Sequence, residues 1–192
     1  MNFRALGRGL LCKFVGVSLL LAGCTSSAEE VALARDEYQA AFDRGDYPAA
    51  RDAMMRAVGF NDGSAELWTG LARVQLALRE YNGAFYAYSR AAELDRTNAE
   101  ALQALADISL LGGRLREAER YVEQLELLRP GDPGPLTTKG YIHLRRGKPA
   151  EASKAADAVL ALRPMDINAT ILKARALEAQ AVPAEGARLL EA

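Results

Sequence analysis

Alanine recurs at Ala50, Ala84, Ala118 and Ala152, each 34 residues after the last, with Gly186 next in the series. Other columns keep the same spacing: Gly45, Gly113 and Gly147; Trp68, Leu102 and Leu136; Phe60, Leu94, Leu128 and Leu162; Pro130 and Pro164. No insertion disturbs the register from Val31 onward. A fixed period of this length means one supersecondary unit copied in tandem, each copy too small to bury its own apolar face. That excludes most folds at once. The chain must stack its units into a solenoid whose core lies between neighbours.

Spacing within a unit identifies the elements. Leu102, Leu105 and Ala106 fall at i, i+3 and i+4 and line one face of a helix. Gly112-Gly113 breaks it, and Leu115, Ala118, Val122 and Leu125 form the facing stripe of a second helix that Pro130 closes. Small residues such as Ala106 and Ala118 mark the closest approach of the two. Each unit is therefore a pair of antiparallel helices. A 34-residue helical hairpin with these columns resembles the tetratricopeptide repeat. The resemblance implies an all-α, right-handed solenoid of about four and a half units: 31–64, 65–98, 99–132, 133–166 and a partial 167–192. The second unit follows the pattern best, through Trp68, Leu71, Tyr81, Ala84, Tyr88, Ala91 and Leu94. Units one and four depart from it, with Glu37-Tyr38 and Lys139 in columns that usually hold leucine or a small residue.

Few residues invite a catalytic reading. His143 is the single histidine, in a column the family fills with a packing side chain. No second histidine accompanies it toward a zinc site, which takes several ligands at set spacings. No serine or carboxylate forms a readable nucleophile–base pair, and no glycine-rich phosphate loop exists. The expectation is a protein that is not an enzyme and uses neither cofactor nor metal. Trp68 and Tyr88 are expected in the core, Tyr86 outside it, and Asp36, Asp43, Glu66 and Glu100 on a solvated face.

In the tetratricopeptide repeat the concave surface is built from the first helix of each pair. The resemblance carries this face onto Arg35, Gln39 and Phe42, then Thr69, Arg73 and Leu76, then Gln103, Asp107 and Leu110. Unit four adds Thr137, Tyr141, Leu144 and Arg145, and unit five Ile171 and Arg175. Apolar side chains flanked by Arg, Gln and Tyr suit an extended peptide or a helix of a partner protein. The Lys and Asn pattern with which some members grip a terminal carboxylate is absent: Arg35, Gln39 and Gly70 stand there.

The start of the chain addresses location. Arg4, Arg8 and Lys13 precede an apolar run, Phe14 to Ala22, too short for the ~20 residues that span a bilayer. This is the layout of a secretory signal. It ends in Leu20-Leu21-Ala22-Gly23-Cys24, which resembles the lipobox of bacterial lipoproteins. The resemblance implies a signal peptide over 1–23, cleavage before Cys24, lipid on that cysteine, and a tether over 24–30 ahead of the repeats at 31–192. Thr25, rather than Asp, after the cysteine implies sorting to the periplasmic face of the outer membrane. Cys12 leaves with the signal, so the mature chain holds no thiol for a disulfide. Cleavage also leaves 21 basic against 25 acidic residues, a net charge of −4, without the basic stripe of a nucleic-acid binder. No polar cap is visible after the fifth unit, so the face around Leu172, Leu189 and Leu190 is expected to be open to a further contact. The chain is similar to small lipoproteins of Tad and type IV pilus assembly. The function this implies is a membrane-tethered, non-catalytic adaptor. The alternatives are a scaffold that recruits peptidoglycan enzymes and, remotely, an enzyme.

Overall fold

The computed structural model describes residues 26–180. Among them are nine α-helices and no strand: α1 (Ser27–Asp43), α2 (Tyr47–Phe60), α3 (Ala65–Ala77), α4 (Tyr81–Leu94), α5 (Ala99–Leu111), α6 (Leu115–Leu128), α7 (Pro133–Arg145), α8 (Pro149–Leu162) and α9 (Ile167–Ala179). They pair as hairpins α1/α2, α3/α4, α5/α6 and α7/α8, and each hairpin stacks on the next. The all-α repeat solenoid is the fold. Residues 1–25 and 181–192 lie outside the described residues, and with them the signal peptide, Cys24, Gly186, Leu189 and Leu190.

The period is also written in the hydrogen bonds that start and stop the helices. Ser64, Asn98, Asp132 and Asp166 stand 34 residues apart, and each accepts a backbone N–H at the start of α3, α5, α7 or α9. Ser26 and Glu29 form a capping box one turn ahead of that register. So α1 runs to 17 residues where α3, α5, α7 and α9 each have 13, and residues 27–30 are helix rather than tether. The first helices end alike. The N–H groups of Asp46, Glu80, Arg114 and Lys148 donate to the carbonyls of Ala41, Gln75, Ser109 and His143 five residues back, the bond of a Schellman motif. That geometry needs a left-handed residue in between. Gly45, Gly113 and Gly147 supply it, and Arg79 fills the same column at φ 60°.

The alanine column lies at the centre of the stack: Ala50, Ala84, Ala118 and Ala152 are fully buried. Around them the core is large in the first three hairpins and thins toward α9, where Ala152, Ala156, Leu172 and Ala176 form a small cluster. Leu71 and Leu105 are buried in the column where unit four has Lys139. There the core gives way to ion pairs between helices. Glu37 meets Arg56, Lys139 meets Glu126 at 2.8 Å, and Lys173 meets Asp157. The departures from the repeat pattern therefore have partners that the pattern did not reveal.

One expectation needs correction, and two positions need a finer description. Leu172 is not an open face: it is buried against Ala152, Ala156, Tyr141 and Leu144, and its side chain fills the space beside Gly140. Trp68 packs against the core but stays half-buried. Its Nε1 donates to the Asp62 carbonyl at 2.7 Å, and its ring packs edge-on against the exposed Tyr86 at 5.7 Å. The column Phe60, Leu94, Leu128 and Leu162 is exposed, because each closes a second helix at a corner of the solenoid.

Candidate functional site

The polar side chains assigned to the concave face are largely occupied in joining one hairpin to the next. Arg35 on α1 pairs with Glu66 on α3, and Arg73 on α3 pairs with Glu100 on α5 through two guanidinium nitrogens. The hydrogen bonds to Glu100 raise the Arg73 pKa above its ordinary value. Glu66 and Glu100 are thus ion-pair partners rather than a free solvated face. Gln39 donates to Asp43 at 2.8 Å within α1. Thr69 is buried, not groove-lining. Its hydroxyl donates to the Ala65 carbonyl and accepts from Asn98 Nδ2 at 2.9 Å, which ties the α5 cap to α3.

One unit further on, Gln103, Asp107 and Thr138 form a closed network. Gln103 Nε2 donates to Asp107 at 3.0 Å and to Thr138 Oγ1 at 2.9 Å, and the Thr138 hydroxyl donates to Asp107 at 2.8 Å. Asp107 keeps an exposed edge, yet the crowding of α5 and α7 strips enough solvent from the carboxyl to raise its pKa. The hydrogen bonds from Gln103 and Thr138 oppose that rise. Thr138 was not singled out in the sequence. Its column holds Gly70, Ala104 and Leu172 elsewhere, so no period reveals it.

The aromatic and apolar groove candidates divide. Phe42 packs between Tyr38 and Tyr47, with ring centroids 5.6 and 5.4 Å away, and closes the first hairpin. Leu110 turns inward against the cluster of Ala106, Ala118, Val122 and Ile142. Tyr141 and Leu144 pack on the cluster around Leu172, and the Tyr141 hydroxyl donates to the Asn168 carbonyl at 3.4 Å. Burial raises the Tyr141 pKa. Thr137 donates to the Pro133 carbonyl of its own helix, and Ile171 is half-buried. Arg145 lies at the α5–α6 turn, its Nη2 3.7 Å from where a Cβ on Gly113 would stand. Arg175 is exposed and has no ion pair among the described residues. Arg73 is thus ion-paired and Tyr141 half-buried, while Arg145 and Arg175 are exposed.

Among the openings of the described residues is a cleft of about 640 Å³ over α5. Leu76, Ala104, Ile108 and Leu111 give it an apolar floor, and Glu100, Gln103, Asp107, Arg129 and Asp132 a polar rim. Leu76, Gln103 and Asp107 were assigned to the groove from the repeat columns; Ala104, Ile108 and Leu111 were not. They follow Glu100 at the i+4, i+8 and i+11 spacing of one helix face. Leu111 is 70% exposed, an outward apolar residue beside an inward one, Leu110. His143 on α7 is half-buried with Nδ1 unpartnered. No group of three or more His, Cys, Asp or Glu suited to a metal ion occurs among the described residues.

Comparison with known proteins places this geometry in a class. Residues 76–136 match the family model described as tetratricopeptide repeat. No curated protein matches the chain significantly. Among solved structures the chain is similar to MamA from Desulfovibrio magneticus RS-1, with a TM-score of 0.77 at 14% identity over 86% of this chain and 94% of that one. It is similar to a tetratricopeptide repeat protein from Parabacteroides merdae, with a TM-score of 0.73 at 17% identity over 85% and 65% of the two chains. It is also similar to PilF of Pseudomonas aeruginosa, with a TM-score of 0.69 at 20% identity over 87% and 76%. The fold is that of the tetratricopeptide repeat. Repeats of this kind bind proteins or peptides, and proteins built from them are generally non-catalytic scaffolds.

Proposed function

We propose that this protein is a non-catalytic adaptor that holds an extended segment of a partner protein in the cleft over α5. The observation that carries the reading is the cleft itself: an apolar floor with exposed Leu111, bounded by polar groups that neighbouring side chains hold in place. An extended chain set there buries an apolar side chain on Leu76, Ala104 and Leu111. Its backbone amides face Asp107 and Glu100. Convergent polar groups around an apolar floor give orientation as well as contact area.

The adaptor is tethered by lipid on Cys24 to the periplasmic face of the outer membrane, where it serves assembly of a pilus or another envelope complex. Support for this part comes from the sequence: the basic start, the short apolar run and the Leu-Ala-Gly-Cys junction. Among the described residues no helix is long and apolar enough to cross a membrane.

Two measurements test the proposal. Leu111→Asp places a charge on the floor without touching the core, so partner capture from the native envelope should fall at least tenfold while helicity is unchanged. Undiminished capture of the same partners would remove the cleft from the proposal. The mass of the amino-terminal peptide reports the anchor. An unmodified Cys24 on chain isolated from the envelope would overturn the tether, and Cys24→Ser should release the protein from the membrane.

A further inference from the structure

The hairpin topology gives the solenoid two long edges of different character. Every first helix starts, and every second helix ends, at one edge; the turns within hairpins, including Gly113 and Gly147, form the other. The exposed column Phe60, Leu94, Leu128 and Leu162 lies wholly on the first edge, one large apolar side chain at each corner. At the last described corner, Met165 and Ile167 join Leu162 and are 91% and 73% exposed. Ser26, which caps α1, stands on this same edge. Cys24 is two residues before it and therefore within ~7 Å along the chain.

Three of the four corner carboxylates of this edge are engaged, and the fourth, Asp62, is exposed. Asp132 and Asp166 are turned onto backbone N–H groups of α7 and α9, and Asp95 onto Thr97. Arg96 and Arg163 project from two corners, both exposed and without an ion pair among the described residues. Successive second helices do not pack on each other, so the corners are spaced more widely than the ~8–10 Å of packed helices. Single apolar side chains at that interval do not make the contiguous, complementary surface of ~1,000 Å² that a protein interface needs. Separate apolar tips, with a free arginine at two of the corners, match the head-group region, where apolar groups insert and cations meet lipid phosphates.

We infer that the corner edge bearing Phe60, Leu94, Leu128, Leu162, Met165 and Ile167 rests on the membrane surface. The inference builds on the reading that Cys24 carries the anchor. The lipid holds one end of the edge, and the corners near α9 make a second contact. The solenoid then lies along the bilayer rather than hanging from it, and the hairpin turns at Gly113 and Gly147 face away.

The test supplies the tether chemically. The chain from Cys24 to Ala192, whose one thiol is Cys24, is coupled to a maleimide lipid in vesicles of phosphatidylethanolamine and phosphatidylglycerol at about 3:1, with Trp68 as constant background. Met165→Trp reports the corner edge and Lys148→Trp the opposite one. With brominated lipid, the added fluorescence of Met165→Trp should be quenched at least twofold more than that of Lys148→Trp. Equal quenching at the two positions, or none at Met165→Trp, overturns the inference, as it would if the corners met a protein instead. Lipidation in cells is read separately from the mass of the Cys24 peptide, so loss of the anchor reading and loss of the edge contact give different results.

Discussion

Two glycines on first helices give a sharp test of how the hairpins pack. A Cβ on Gly140 would lie 2.3 Å from Leu172 Cδ2 and 3.2 Å from the Ala155 Cβ; one on Gly70 would lie 2.5 Å from Met54 Cε. The overlaps look alike, but the neighbours differ in what can move. Met54 is flexible along its whole length and can swing its terminal methyl aside. Leu172 is fully buried, and the Ala155 Cβ moves only with α8. Each Gly→Ala change gains ~1 kcal/mol of helix propensity. At Gly140 an overpacking cost of roughly 1–3 kcal/mol opposes it, so Gly140→Ala should be destabilising by about 0–2 kcal/mol. Gly70→Ala should be neutral or more stable by up to ~1 kcal/mol. At ~2–4 °C per kcal/mol for a chain of this size, Gly140→Ala should melt several degrees below Gly70→Ala by circular dichroism. Leu172→Ala alone should cost ~2–5 kcal/mol. Combined with Gly140→Ala it should show a favourable coupling above ~0.5 kcal/mol. A Gly140→Ala protein as stable as Gly70→Ala, or strict additivity in the double mutant, would refute this account of the α7–α9 contact.

Leu105→Ala should cost ~2–5 kcal/mol in urea denaturation, and Trp68→Ala less, ~1–3 kcal/mol, because the indole is only half-buried. The reverse order would mean that the two columns exchange roles. Arg79→Gly should relieve ~1–2 kcal/mol of left-handed strain against ~0.5–1 kcal/mol of added chain entropy. The net gain is up to ~1.5 kcal/mol, while Gly147→Ala should lose about as much; equal melting temperatures for wild type and both variants would contradict the shared turn geometry. Burial, aided by Glu100 and opposed by Arg73, pushes the Tyr88 phenol from 10.0 up to about 12. Folding stability should therefore be full below pH ~10 and fall between pH 10 and 12 by up to ~2.7 kcal/mol before solvent screening lowers it. Tyr88→Phe should flatten that fall in alkaline denaturation curves, and an unchanged slope would assign it elsewhere.

The solenoid is legible in the sequence because its determinants repeat. The buried alanine column, the left-handed turn column and the Ser64, Asn98, Asp132 and Asp166 caps each depend on residue type at a fixed interval. The cap column was available to inspection and was missed, as was the capping box that starts α1 at Ser27. Arg79 shows the opposite case. Nothing about an arginine announces a left-handed conformation, and only the hydrogen bond from Glu80 to Gln75 on either side of it imposes one. Lys139 and Lys173 look like defects in an apolar column until Glu126 and Asp157, on the preceding hairpins, are brought beside them.

The site is harder to read because a repeat column fixes where a residue sits on its helix but not what the adjoining unit does to it. Thr69, Arg73 and Gln103 each stand on the inner side of a first helix, yet Asn98, Glu100 and Thr138 from the next hairpin consume their polar groups. A repeat period relates equivalent positions, whereas these contacts join inequivalent ones. The open surface is then set by which residues lack a neighbouring partner, and that is a property of pairs of units. Leu110 and Leu111 make the point within one turn of α5. A single step along the chain rotates a side chain by 100°, enough to move one leucine into the core and leave the other on the cleft floor. The same reasoning accounts for the exposed column Leu94, Leu128 and Leu162. Its leucines share a helix face with core residues, but each second helix ends there, and no further turn remains to cover them.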